Sequence, residues 1–129
     1  ITQWSIAVSN AAAGAPATLT TITDTLAASL AHDPGAVAGL TVPTNAATCV
    51  AGAGNLGFKV TASAARNIGG VAAQTTGYFT TNTADGLDIA GQAITATFAT
   101  ILPSDGGHAT AGLLNAGETV TIIFNTTVR

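Results

Sequence analysis

The groups in this 129-residue chain that could do chemistry are few, six acids, two histidines, one lysine, two arginines and one cysteine, and they fall close together in only a few places. Asp85-Gly86-Leu87-Asp88 could offer carboxylate oxygens to calcium, which takes about six to eight oxygen ligands and accepts loop carbonyls among them. Two carboxylates are few, and Asp before Gly is also a common turn signal, so Asp85 and Asp88 read either as a calcium pair or as a tight turn. Ser104-Asp105-Gly106-Gly107-His108 has the residue types of a nucleophile, an orienting acid and a base. Triads need each group within hydrogen-bond reach of the next, a demand that neighbours in one loop rarely meet, so this stretch reads as a loop. His32-Asp33-Pro34-Gly35 reads as a turn with His32 exposed, and two distant His with one Cys are too few for zinc. No polar constellation converges. The chain therefore reads as a non-enzyme with no cofactor beyond the calcium pair.

The elements that must carry these groups read as short strands. Val120, Ile122, Phe124, Thr126 and Val128 alternate with Thr119, Thr121, Ile123, Asn125 and Thr127, which predicts a strand with one face in a core, entered from a turn at Leu114-Asn115-Ala116-Gly117-Glu118. Thr2 to Ser9 alternates in the same way, with Trp4, Ile6 and Val8 on the face assigned to the core. Further strands are predicted over Thr18–Thr25, Val37–Val42, Gly57–Ala64, Val71–Thr81, Leu87–Ala90 and Gln92–Leu102, the last with Ile94, Ala96, Phe98 and Thr100 facing inward. Thr48–Val50 could add a short edge within the loop-rich stretch Thr44–Gly57. Leu26–Leu30 predicts no more than a helical turn, Arg66–Gly70 a turn, and Pro103–Gly112 the last major loop. Seven or eight short strands, frequent turn signals and no convincing helix predict an antiparallel Ig-like β-sandwich, a single domain over residues 1–129.

Composition narrows the function classes. Charged residues make up 7% of the chain, against about 25% in an ordinary soluble protein. Ala and Thr fill roughly two-fifths of the positions, so the surface must be made of methyls, hydroxyls and backbone. A net charge of -3 gives copies little mutual repulsion, and self-association is then easy. Lys59, Arg66 and Arg129 cannot form the basic patch that nucleic acid requires. No apolar run approaches the roughly 18 residues of a transmembrane segment. Cys49 stands alone, which excludes an internal disulfide and leaves a buried thiol, the favoured reading, or an intermolecular bridge. Asn125-Thr126-Thr127 is an N-glycosylation sequon, and on the strand pattern Asn125 faces away from the core, where a sugar could attach. The Thr-rich stretch Thr75–Thr83 could carry O-linked sugar.

Two segments resemble the bacterial and archaeal surface-protein family of Ig-like domains known as domain of unknown function eleven. Trp4-Ser5-Ile6-Ala7-Val8-Ser9-Asn10, followed after a small-residue loop by Ile22-Thr23-Asp24-Thr25-Leu26, is similar to the family's opening. Leu114-Asn115-Ala116-Gly117-Glu118-Thr119-Val120-Thr121-Ile122-Ile123-Phe124 is similar to its final strand. The resemblance covers both ends of the chain and hardly its middle. It implies an extracellular or cell-surface Ig-like sandwich, of the kind found in adhesins and fibres, with no enzymatic activity attached. Family domains carry a further strand and a Pro-Gly turn before the aromatic strand, whereas Ile1 lies almost on that strand here. Either the sequence is trimmed or the sandwich lacks its first strand and something else fills the gap.

Surface proteins with such domains also sometimes join a Lys to an Asn through an amide bond promoted by a carboxylate. That implies Lys59 with Asn10 or Asn125 as cross-link partners and Asp24 or Glu118 as the promoting acid; a solvent-facing strand lysine explains the same residues. A missing edge strand exposes backbone donors and acceptors beside apolar surface, and a strand from another chain satisfies both. The expected function is a structural subunit of an extracellular filament or surface layer, polymerising head to tail with copies of itself through the strands of Thr2, Trp4, Ile6 and Val8 or of Val120, Ile122, Phe124 and Val128. The alternative is an adhesive or carbohydrate-binding module with a cell-surface or glycan target, using Trp4 or Tyr78 to stack on sugar.

Overall fold

The computed structural model describes residues 2–33, 57–80 and 85–129, and over these it is an antiparallel β-sandwich with one helical turn. The strands are β1 (Thr2–Ser9), β2 (Ala17–Thr18), β3 (Thr21–Thr25), β4 (Leu30–Asp33), β5 (Phe58–Ile68), β6 (Val71–Phe79), β7 (Leu87–Ala90), β8 (Ala93–Thr97), β9 (Leu113–Leu114) and β10 (Thr119–Val128), with α1 (Phe98–Ile101) after β8. One sheet runs β1-β10-β5-β6, with β4 also pairing β10; the other runs β3-β8-β7; β2 and β9 form a small ribbon. The predicted strands over Val37–Val42 and Thr48–Val50, and Cys49 with them, lie outside the described residues.

β10 organises the larger sheet because its alternation is the cleanest in the chain. Val120, Ile122 and Phe124 are buried, and the register sets Ile122 against Val60 and Phe124 against Phe58, so one continuous apolar face forms across two strands. The Phe58 and Phe124 rings meet edge-on at 5.9 Å. The second sheet answers with Leu87, Ile94 and Ala96, and the core closes around Phe79, Phe98, Ile101 and Leu102. Removing such side chains from water is the main force holding the layers together, worth about 1.5–3 kcal/mol for each large apolar group.

Four sequence expectations give way to the structure. The strand over Thr18–Thr25 divides, since β2 pairs β9 while β3 pairs β8. The strand over Gln92–Leu102 ends at Thr97, where both of its neighbours run out: Thr97 is paired with Thr21 at the start of β3, and Ala96 with Leu87 at the start of β7. With no ladder left, the chain coils into α1, which buries Phe98 and Ile101 and leaves Thr100 exposed. Gly86 permits that crossing: its φ is +98°, and a Cβ would lie 2.8 Å from Ile101 Cγ1 and 2.9 Å from Thr97 O. His32 and Asp33, read as an exposed turn, instead belong to β4, where Asn125 pairs Asp33 and Thr126 pairs His32. The turn expected from Arg66 begins later, because β5 continues to Ile68 and turns at Gly69 and Gly70.

Candidate functional site

Trp4 occupies the position that matters most to assembly. Register places it opposite Phe124 and therefore on the core-facing side of the sheet, as the alternation requires. Yet it is 46% exposed, which corrects its assignment to the core. Among the described residues the opposing sheet has three strands against the larger sheet's five, and the period of two gives the face but not the cover. Trp4 Nε1 donates to Thr126 Oγ1 at 2.9 Å, holding the indole against the sheet with much of its ring still open. Ile6 and Val8 are half-buried on the same side.

β1 is an edge with a ladder on one side only among the described residues. Its register with β10 is unbroken from Thr2↔Thr126 to Ser9↔Thr119. Natural edges are commonly guarded by charge, proline or bulges, and the other described edges of the two sheets are. β3 carries Asp24, β7 carries Asp88, β4 carries Asp33, and the β5–β6 pairing is shifted between Thr61 and Arg66 and again before Ile68, with Ala73 at φ +57° in β6. β1 has no charged residue, no proline and no register shift. β10 has no such edge. It pairs β1 on one side and β5 and β4 on the other, so Val120, Ile122 and Phe124 are interior and β10 could receive another strand only where β1 leaves it; Val128, at its end, is 80% exposed.

A second constellation lies at the start of β10. His108 is buried with both ring nitrogens against carboxylates: Nδ1 meets Asp105 Oδ1 at 2.8 Å and Nε2 meets both oxygens of Glu118 at 3.0 Å. Each ring nitrogen thus lies within hydrogen-bond distance of a carboxylate, so the ring is clasped between two acids. Arg66 comes in from β5, with Nη1 3.9 Å from Glu118 Oε2 and donating to Leu113 O, while its Nε and Nη2 are buried without a protein partner. Burial pushes the Asp105 carboxyl up, but the backbone N–H of Asn67 and then His108 and the Gly107 N–H outweigh it and bring it down to about 2. Burial raises Glu118 likewise, and the N–H of Asn115 followed by His108 lowers it overall. Asp105 and His108 were visible together in the sequence, but Glu118 and Arg66 were not, because no spacing links a β5 residue to a turn some fifty positions later. The cluster has no nucleophile within it. It is a polar clasp joining β5, the 105–108 loop and the entry to β10.

The remaining candidates are placed as follows. Asp85 is committed to its turn: Oδ2 accepts from Thr80 N at 2.7 Å and Thr80 Oγ1 at 3.0 Å, and Oδ1 from Leu87 N at 3.1 Å. Asp88 lies exposed on β7, its carboxyl raised by partial desolvation and then by Asp85. Among the described residues no group of three or more His, Cys, Asp or Glu is set to hold a metal ion. Asn125 lies on the outer face of the sheet as expected, but it is 1% exposed and accepts from Gln3 Nε2, so its reading as an open glycosylation site is corrected. Lys59, half-buried, is paired with Ile123 and so shares a sheet face with Asn125 two residues on. The acids expected to promote a cross-link are elsewhere: Asp24 is exposed in the opposite sheet, and Glu118 stands five residues before Ile123, about 17 Å along the strand. The carboxylate in register with Asn125 is Asp33. Asn10, at the far end of the sheet, is taken up by Ala15 O and Leu114 O. His32 is half-buried with its ring 5.0 Å from that of Phe58 and its Nε2 3.1 Å from Gly57 O; burial lowers its pKa below the ordinary 6.5.

No protein-family model, curated protein or solved structure matches this chain.

Proposed function

We propose that this protein is a structural subunit of an extracellular filament or surface layer, assembled head to tail by β-strand complementation between copies. The observation that carries this reading is the edge of β1, unpaired on one side among the described residues, eight residues in unbroken register with no guarding charge or bulge and with a half-exposed tryptophan on the core-facing side. A low ionic content supports it, because copies that scarcely repel one another tolerate dense packing. The resemblance of both ends of the chain to Ig-like surface domains points the same way. Electron microscopy of the purified chain over a range of concentrations tests it: fibres or sheets are expected, and dispersed particles at every concentration would contradict it.

The exposure of Trp4 also favours a second reading, an adhesive module whose indole stacks on a sugar face. Binding to a glycan array, abolished in Trp4→Ala and unaccompanied by polymers, would select that reading over the first.

A further inference from the structure

We infer that β1 is the element the copies exchange, so that β1 of one molecule lies along β10 of the next in the register it keeps with its own β10. The inference rests on the filament reading and specifies which segment makes the contact.

Three observations converge on it. First, β1 is the least embedded long strand: none of its eight residues is fully buried, and among the described residues a single ladder holds it. β10, which it would uncover, is buried from Phe124 to Thr126 and at Val120 and Ile122. Leaving β10 bare is costly, whereas moving β1 loses little burial of its own.

Second, the segment that fits β10 is already known, because it is β1. Exchange remakes the same eight pairs and the same Trp4–Thr126 hydrogen bond in a neighbour, so most of the interaction free energy cancels and the balance is set by the joint and by concentration. Third, the joint is well placed. Asn10 is anchored to the body through Ala15 O, Leu114 O and the N–H of Gly117, so the pivot falls between Ser9 and Asn10, and the body beyond it is undisturbed when β1 swings away.

The alternative use of the same edge is addition, with β1 of one copy pairing antiparallel to β1 of another. That contact is two-fold and closes as a dimer, whereas exchange in which each copy gives to one neighbour and receives from another runs on as a fibre. Only exchange makes a polymer from this strand alone.

The test is a disulfide between register partners. Ala7→Cys/Thr121→Cys, with Cys49→Ala removing the native thiol, is assembled under reducing conditions and then oxidised; Ser9→Cys/Thr119→Cys, whose native hydroxyls lie 2.7 Å apart, serves as the second pair. Exchange predicts a ladder of covalent oligomers on a non-reducing gel, from material that shows fibres by microscopy. Internal disulfides in every chain of fibrous material would overturn the exchange while leaving the filament reading intact. Covalent products that stop at the dimer would overturn it in favour of a closed swap, and internal disulfides without fibres would overturn both.

Discussion

Trp4 donates its indole N–H to Thr126 across 2.9 Å while nearly half of its own surface stays open, so the residue is fixed in place yet uncovered. It is the chain's only tryptophan, and its emission therefore reports on β1 alone. Dispersed protein should emit at long wavelength and be quenched readily by iodide. Assembly by exchange of β1 should leave the emission where it is, because Trp4 regains the same Thr126 partner in the neighbour. An emission blue and unquenchable in dispersed protein would contradict the placement of Trp4.

Removing Glu118 should be among the most damaging single changes on the surface of the body. Glu118→Ala leaves Arg66 and His108 buried with less counter-charge, and breaking a buried ion pair from one side costs about 3–5 kcal/mol. His108→Ala removes the ring between Asp105 and Glu118 but leaves Arg66 near Glu118, so its cost should be smaller. Chemical denaturation of both variants checks the order, and equal stabilities would show that the clasp does not act as a unit.

Acid should weaken the fold in two stages. His32 is held below its ordinary 6.5, so the unfolded chain binds a proton that the folded chain resists, and stability falls as pH drops below about 6.5. Asp105 and Glu118 are lowered, so the stability they supply is fully present above their unfolded values of about 4 and is lost as pH falls toward the folded value of Asp105, about 2. Melting temperature followed by circular dichroism from pH 8 to pH 2 should show both declines, and His32→Gln should flatten the first. A flat profile down to about pH 4 in the parent would remove the His32 contribution.

Asp85→Ala should destabilise the protein by about 1–3 kcal/mol, because Thr80 N–H, Thr80 Oγ1 and Leu87 N–H lose the carboxylate they donate to. The loss should be the same with calcium or with chelator. A melting temperature of the parent that rises on adding calcium would instead assign Asp85 and Asp88 to a metal.

Much of the sandwich is readable before any coordinates. Alternation in β10, in the first half of β5 and in β7 follows directly from which residues meet water. Trp4 shows the limit of that signal, because alternation assigns a residue to a face and does not say whether the face is covered. β4 was hidden because Leu-Ala-His-Asp before Pro-Gly looks like a turn until β10 supplies a partner. The end of β8 was hidden for the same reason, since a strand of Ala and Thr stops where its neighbours stop. Of the clasp, Asp105 and His108 were adjacent enough to notice. Glu118 and Arg66 join them only through the pairing of β10 with β5.

The most direct measurement is the light-scattering mass of the purified chain as its concentration is raised, with Trp4 emission recorded on the same samples. Strand complementation through β1 predicts a mass that climbs without a plateau at a small oligomer while the Trp4 emission stays where it is. A mass fixed at that of one chain throughout would contradict it.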